Sequence, residues 1–94
     1  MSHPNQLALA QAAEKWVAQS QALPDDVAIE RLTTKINILQ DGIHEMSLAS
    51  AEDREPDESL AGLSVIDIMA AQTRLIVERG VRVRFAGMGL EMAA

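Results

Sequence analysis

The strongest constraint on this chain is an unbroken heptad register between Ile29 and Met46. Ile29, Leu32, Ile36, Leu39, Ile43 and Met46 follow one another at alternating spacings of three and four residues, with Ile at each a position and Leu, Leu and Met at d. A strand cannot use that spacing, because its side chains repeat every two residues, whereas a helix brings all six onto one face. Such a face must be covered. It is either the core face of an intramolecular helix hairpin or bundle, or a self-association seam, since Ile at a with Leu at d favours parallel two-stranded packing. The register lasts only about three heptads, and the flanking Ala28, Thr33, Lys35, Gln40, Gly42 and Ser47 include one charge, which is thin for an autonomous coiled coil. Gly42 costs about 1 kcal/mol relative to Ala and is expected to allow close helix approach.

The segments on either side read as helices too. From Pro4 to Gln21, Leu9, Ala10, Ala13, Trp16 and Val17 share one face while Gln6, Gln11, Glu14, Lys15 and Gln19 fall mostly elsewhere, the pattern of an amphipathic helix. Pro4 suits a first helical turn, and Pro24 ends the segment because it disfavours helical geometry in the residue before it. Leu23-Pro24 then makes a tight connection, and Asp25 or Asp26 is expected to cap the next helix. Ser64 and Asp67 form a serine-x-x-acid capping box for a third helix from Val65 to Arg79, with Gly80 at its stop position. Val65, Ile66, Ile68, Met69, Leu75, Ile76 and Val77 cover more than one stripe, so this helix is expected to be the most buried. After Gly80, Val81-Arg82-Val83-Arg84-Phe85 alternates apolar and basic, the period of a short half-buried strand, with a restarted helix as the other reading. Gly87-Met88-Gly89 reads as a flexible turn.

Between the second and third helices, residues 51–62 concentrate acid, proline and glycine and hold almost nothing to bury. They are expected to be an exposed acidic linker inside a single domain spanning 1–94. Asp53, Glu55 and Asp57 alternate as in a calcium loop, but Pro56 interrupts them and Glu58 stands where that loop needs glycine. Of the net charge of −6, residues 1–51 carry −3, 52–58 carry −4 and 59–94 carry +1. The overall sign disfavours general nucleic-acid affinity, while Arg74, Arg79, Arg82 and Arg84 form a local basic cluster.

Composition narrows the chemistry. The 48% apolar fraction comes from Ala, Leu, Ile, Val and Met, with Trp16 and Phe85 as the aromatics, which suits packed helices over a β-sandwich. There is no cysteine, so disulfides, thiolate metal sites and thiol nucleophiles are excluded. His3 falls in an end expected to be disordered, and His44 beside Glu45 on a solvated helix face. No serine has a nucleophile-elbow context and the carboxylates fall in caps or the linker, so no catalytic residue, metal site or cofactor is expected. No signal peptide or membrane span is evident, which leaves the cytoplasm as the default.

Residues Asp67, Met69 and Gln72, followed by Gly80-Val81-Arg82-Val83-Arg84, resemble part of the C-terminal helix of flagellar and type III secretion rod subunits. Those are small helical proteins that polymerise, and the resemblance covers under twenty residues. In type alone, a short, acidic, cysteine-free helical chain is similar to phage-encoded inhibitors, including anti-CRISPR proteins.

The expectation is an all-α fold, a three-helix bundle in which a helical hairpin receives a third helix after the acidic linker. The expected role is non-enzymatic, stoichiometric binding of another protein through Arg74, Arg79, Arg82, Arg84 and Phe85, as an adaptor or assembly subunit. Ile29, Leu32, Ile36, Leu39, Ile43 and Met46 would pair a homodimer. A phage-type inhibitor is the alternative, and a small dimeric nucleic-acid-binding regulator the second.

Overall fold

The computed structural model describes residues 3–93, with side chains through residue 87. Three helices, α1 (Pro4–Gln21), α2 (Asp25–Ala51) and α3 (Val65–Ala93), form an all-α bundle. A single 3-10 turn, Glu58–Leu60, lies between α2 and α3. The bundle is elongated, 56 × 27 × 16 Å. α2 and α3 make the most extensive pairing, and α1 packs against both.

The heptad register of α2 goes into this core. Leu32, Ile36 and Leu39 are buried with Ala13 and Val17 of α1 and Ile68, Ala71 and Leu75 of α3, while Ile43 and Met46 pack partly buried against them. Ile29 is half-buried at the end of the row. Five of the six residues expected to form a dimer seam therefore face the core, because two neighbouring helices of the same chain already cover them. Gly42 does not serve close approach: a Cβ there would sit in ordinary contact, 3.6 Å from Leu60 and 3.7 Å from Ile68.

Capping decides where each helix begins. His3, expected to be disordered, is the N-cap of α1. Its Nδ1 accepts from the Asn5 amide at 3.1 Å, and Gln6 Oε1 accepts from the His3 amide at 3.0 Å, a capping box with an imidazole in the hydroxyl's place. For α2 the expectation fails. Pro24 occupies the N-cap and no side chain caps the helix, so Asp25 and Asp26 lie inside the first turn, where their charge still complements the helix dipole. The α3 box is as expected: Ser64 Oγ accepts from the Asp67 amide at 3.2 Å and Asp67 accepts from the Ser64 amide at 2.8 Å.

Gly80 does not stop α3, and Val81–Phe85 is helix rather than strand. A mid-helix glycine costs only about 1 kcal/mol. Ile68, Ala71, Leu75, Glu78 and Arg82 continue one inward row past Gly80, all of them buried or half-buried, which holds the helical period.

Residues 52–62 are largely exposed, but they are not a bare spacer. Asp53 adopts a left-handed φ of 53° that turns the chain back, and the Arg54 amide donates to Ala49 O at 2.9 Å. The Arg54 guanidinium grips Glu45 in bidentate fashion at 2.9 and 3.0 Å and reaches Glu52 at 3.1 Å. Gly62, at φ 78°, lies directly under the His3 ring, where a Cβ would come within 2.1 Å of Cγ.

Candidate functional site

Three of the five residues expected to meet a partner fall in the inner half or along the edge of α3, and the structure disperses them. Arg74 Nε pairs with Glu14 at 3.0 Å, tying α3 to α1, and Arg74 Nη1 lies 3.8 Å from Glu78. Arg79 Nη1 donates to Thr33 Oγ1 of α2 at 3.2 Å. Arg82 donates from Nη2 to the Leu23 carbonyl. Its Nε stands 3.1 Å from Asp25 but off the hydrogen-bond axis, so that contact is an ion pair. With its side chain 15% exposed, Arg82 fastens the α1–α2 turn to α3. Arg84 and Phe85 do stand outward. An alternating strand would have placed Arg82 and Arg84 side by side; helical rotation of about 100° per residue separates them.

The outward face of α3 was not foreseen. Ile66, Met69, Ile76, Val77, Val81 and Val83 are exposed, as is Phe85, and Ile66 reaches 76%. The expectation that α3 is the most buried helix is thus corrected: its apolar residues cover two faces, and the bundle covers one. Along the middle of the outward face run Ile66, Ala70, Thr73, Val77, Gly80 and Arg84, spaced four, three, four, three and four and mostly exposed. That periodicity was present in the sequence. A second stripe on one helix implies either complete burial or a second partner, and only the packing distinguishes them.

This face is held rigidly from behind. Ile68, Ala71 and Leu75 are buried in the core, Gln72 Nε2 donates to Gln40 at 2.9 Å and to the Ile36 carbonyl at 3.3 Å, and Arg79 and Arg82 close the far end. At the near end Gln6 donates to Asp67 at 3.2 Å. Donation by the Ser64 amide, then by Gln6, keeps the Asp67 carboxyl below the ordinary Asp range.

On another side, α1 and α2 enclose an open cleft of about 670 Å³ near their turn, lined in part by Trp16, Gln19, Leu23, Arg31 and Lys35. Lys35 Nζ lies 4.9 Å from the Trp16 ring centroid, a cation–π contact. Ser20, buried at its floor, donates to the Val17 carbonyl at 2.6 Å, so its hydroxyl is engaged within α1. His44 is exposed. Among the described residues no three His, Cys, Asp or Glu side chains converge as a metal set, and no helix is long and apolar enough to cross a membrane.

Comparison with protein-family models, with curated protein sequences and with solved structures finds no match to this chain.

Proposed function

We propose that this chain is a non-enzymatic protein–protein interaction module that acts by stoichiometric binding through the outward face of α3. One observation carries the reading: a helix already anchored to the bundle by its inner face presents a second, continuous apolar face outward, from Ile66 to Phe85. A helix apolar on both sides is normally buried on both sides, and exposed apolar surface of this extent marks an interaction site. The engagement of Arg82 by Leu23 and Asp25 argues against the nucleic-acid reading, which needed Arg82 and Arg84 together as phosphate contacts.

The test is a photo-crosslinking residue placed at Val77 in the cells that make this protein, with the same residue at exposed His44 of α2 as control. A discrete adduct of fixed mass at Val77, absent at His44, supports the reading. No adduct at Val77 overturns it.

A further inference from the structure

We infer that the open cleft between α1 and α2 is a binding site for a small organic monocarboxylate with an apolar body. The cleft is lined by residues of α1, α2 and their turn, so the site is separate from the outward face of α3 and either can fail without the other. Its volume of about 670 Å³ falls within the roughly 300–1,000 Å³ that small-molecule sites occupy. Leu32 and Ser20 are buried at its floor, 1% and 2% exposed, and Trp16, Ala22 and Leu23 extend the apolar lining. The Ser20 hydroxyl spends its hydrogen on the Val17 carbonyl, so the floor offers a ligand no hydroxyl donor.

Charge selects the ligand. Arg31 and Lys35 lie one helical turn apart on α2, share a face and both line the cleft. Neither is ion-paired among the described residues, whereas Arg54, Arg74 and Arg82 are. Of the carboxylates on the same two helices, Glu14 and Asp25 are committed to Arg74 and Arg82 of α3. Lys35 Nζ lies 4.9 Å from the Trp16 ring centroid, so the indole holds the ammonium against the apolar wall. In a chain of net charge −6, which repels anions at long range, two uncommitted cations in one cleft form a local exception. Glu30 is the one carboxylate that lines it. Two cations beside one carboxylate leave a single positive charge, which complements a monocarboxylate better than a dianionic phosphate. The Arg31 guanidinium can grip a carboxylate through two parallel N–H donors, while the apolar body lies along Trp16 and Leu23.

The experiment is a calorimetric titration of the purified chain with octanoate. Trp16 is the single tryptophan and there is no tyrosine, so its emission gives a second readout at the site itself. Saturable binding with a shift in Trp16 emission is expected. Octanamide, which keeps the apolar body and lacks the charge, should bind roughly tenfold more weakly or worse. Arg31→Gln and Lys35→Gln should each weaken octanoate roughly five- to tenfold, and Glu30→Gln should strengthen it roughly threefold by removing a like charge. Arg84→Gln, which removes an exposed cation outside the cleft, should leave the affinity unchanged. None of these four side chains belongs to the buried core, and circular dichroism checks that each variant keeps its helicity. An absence of saturation at millimolar octanoate overturns the site. Equal binding of octanoate and octanamide, or an equal loss in Arg84→Gln, overturns the role of Arg31 and Lys35. Tighter binding of inorganic phosphate than of octanoate overturns the monocarboxylate class.

Discussion

At the scale of single residues, the arginines of α3 show how rotation about a helix separates structure from surface. Arg82 is mostly enclosed and serves Leu23 and Asp25, whereas Arg84, two residues on, is exposed. Arg82→Ala is expected to lower stability by about 1.5–3 kcal/mol, the range of a hydrogen bond to a charged group. Arg84→Ala should stay within roughly 0.5 kcal/mol, as exposed charges do; thermal melts of the two variants at dilute concentration decide the matter. Gly62 provides a second test at this scale. Its left-handed φ and the His3 ring above it mean that Gly62→Ala should cost about 2 kcal/mol or more. Part of that cost is steric, so combining Gly62→Ala with His3→Ala should cost less than the sum of the two single changes.

At the scale of elements, the connection between α2 and α3 is ordered by carboxylates acting as acceptors. Arg54 holds the Glu45 carboxyl below its ordinary value of 4.5, and the Ser59 amide and hydroxyl hold Asp57 below 3.8. The Ser64 amide and Gln6 do the same for Asp67 at the start of α3. Each folded-state value lies beneath its unfolded one, so the stabilisation is fully present above the ordinary values and is lost as pH falls through the lowered ones. The melting temperature should therefore be level from neutrality down to pH 4.5 with respect to these groups and then decline. Asp67→Asn should lower stability at neutral pH and flatten that decline; an unchanged acid slope in this variant would show that the cap contributes nothing to acid sensitivity.

At the scale of the whole molecule, three helices share one core, and α2 supplies its spine. Leu32, Ile36 and Leu39 share one buried cluster with residues of both other helices, so a charge placed in it disturbs all three. Ile36→Asp should abolish cooperative unfolding and most helicity, since an unpaired buried carboxylate costs several kcal/mol. The outward face of α3 lies on the opposite side of that helix from this core. Val77→Asp and Ile36→Asp should therefore part company, the first leaving the chain folded and the second unfolding it.

Much of this architecture is written in local pattern. The heptads of α2, Pro24 after α1, and the Ser64–Asp67 box specify helices and some of their limits, because periodicity and capping act over a few residues. The sequence by itself thus determined an all-α bundle and most of its boundaries. What it could not decide was what each apolar face meets. Two stripes on α3 are compatible with full burial, and only the packing of α1 and α2 against one of them left the other outside. Gly80 and the alternating Val81–Phe85 run suggested a stop and a strand by propensity, yet Arg79 and Arg82 reach Thr33, Leu23 and Asp25 only if the helix continues. Those contacts join residues 46 to 59 positions apart, a separation that no local signal spans. The same holds for His3 over Gly62 and for the dispersal of the arginine cluster: which side of a helix is inside is a property of its neighbours, and the neighbours exist only in the folded chain.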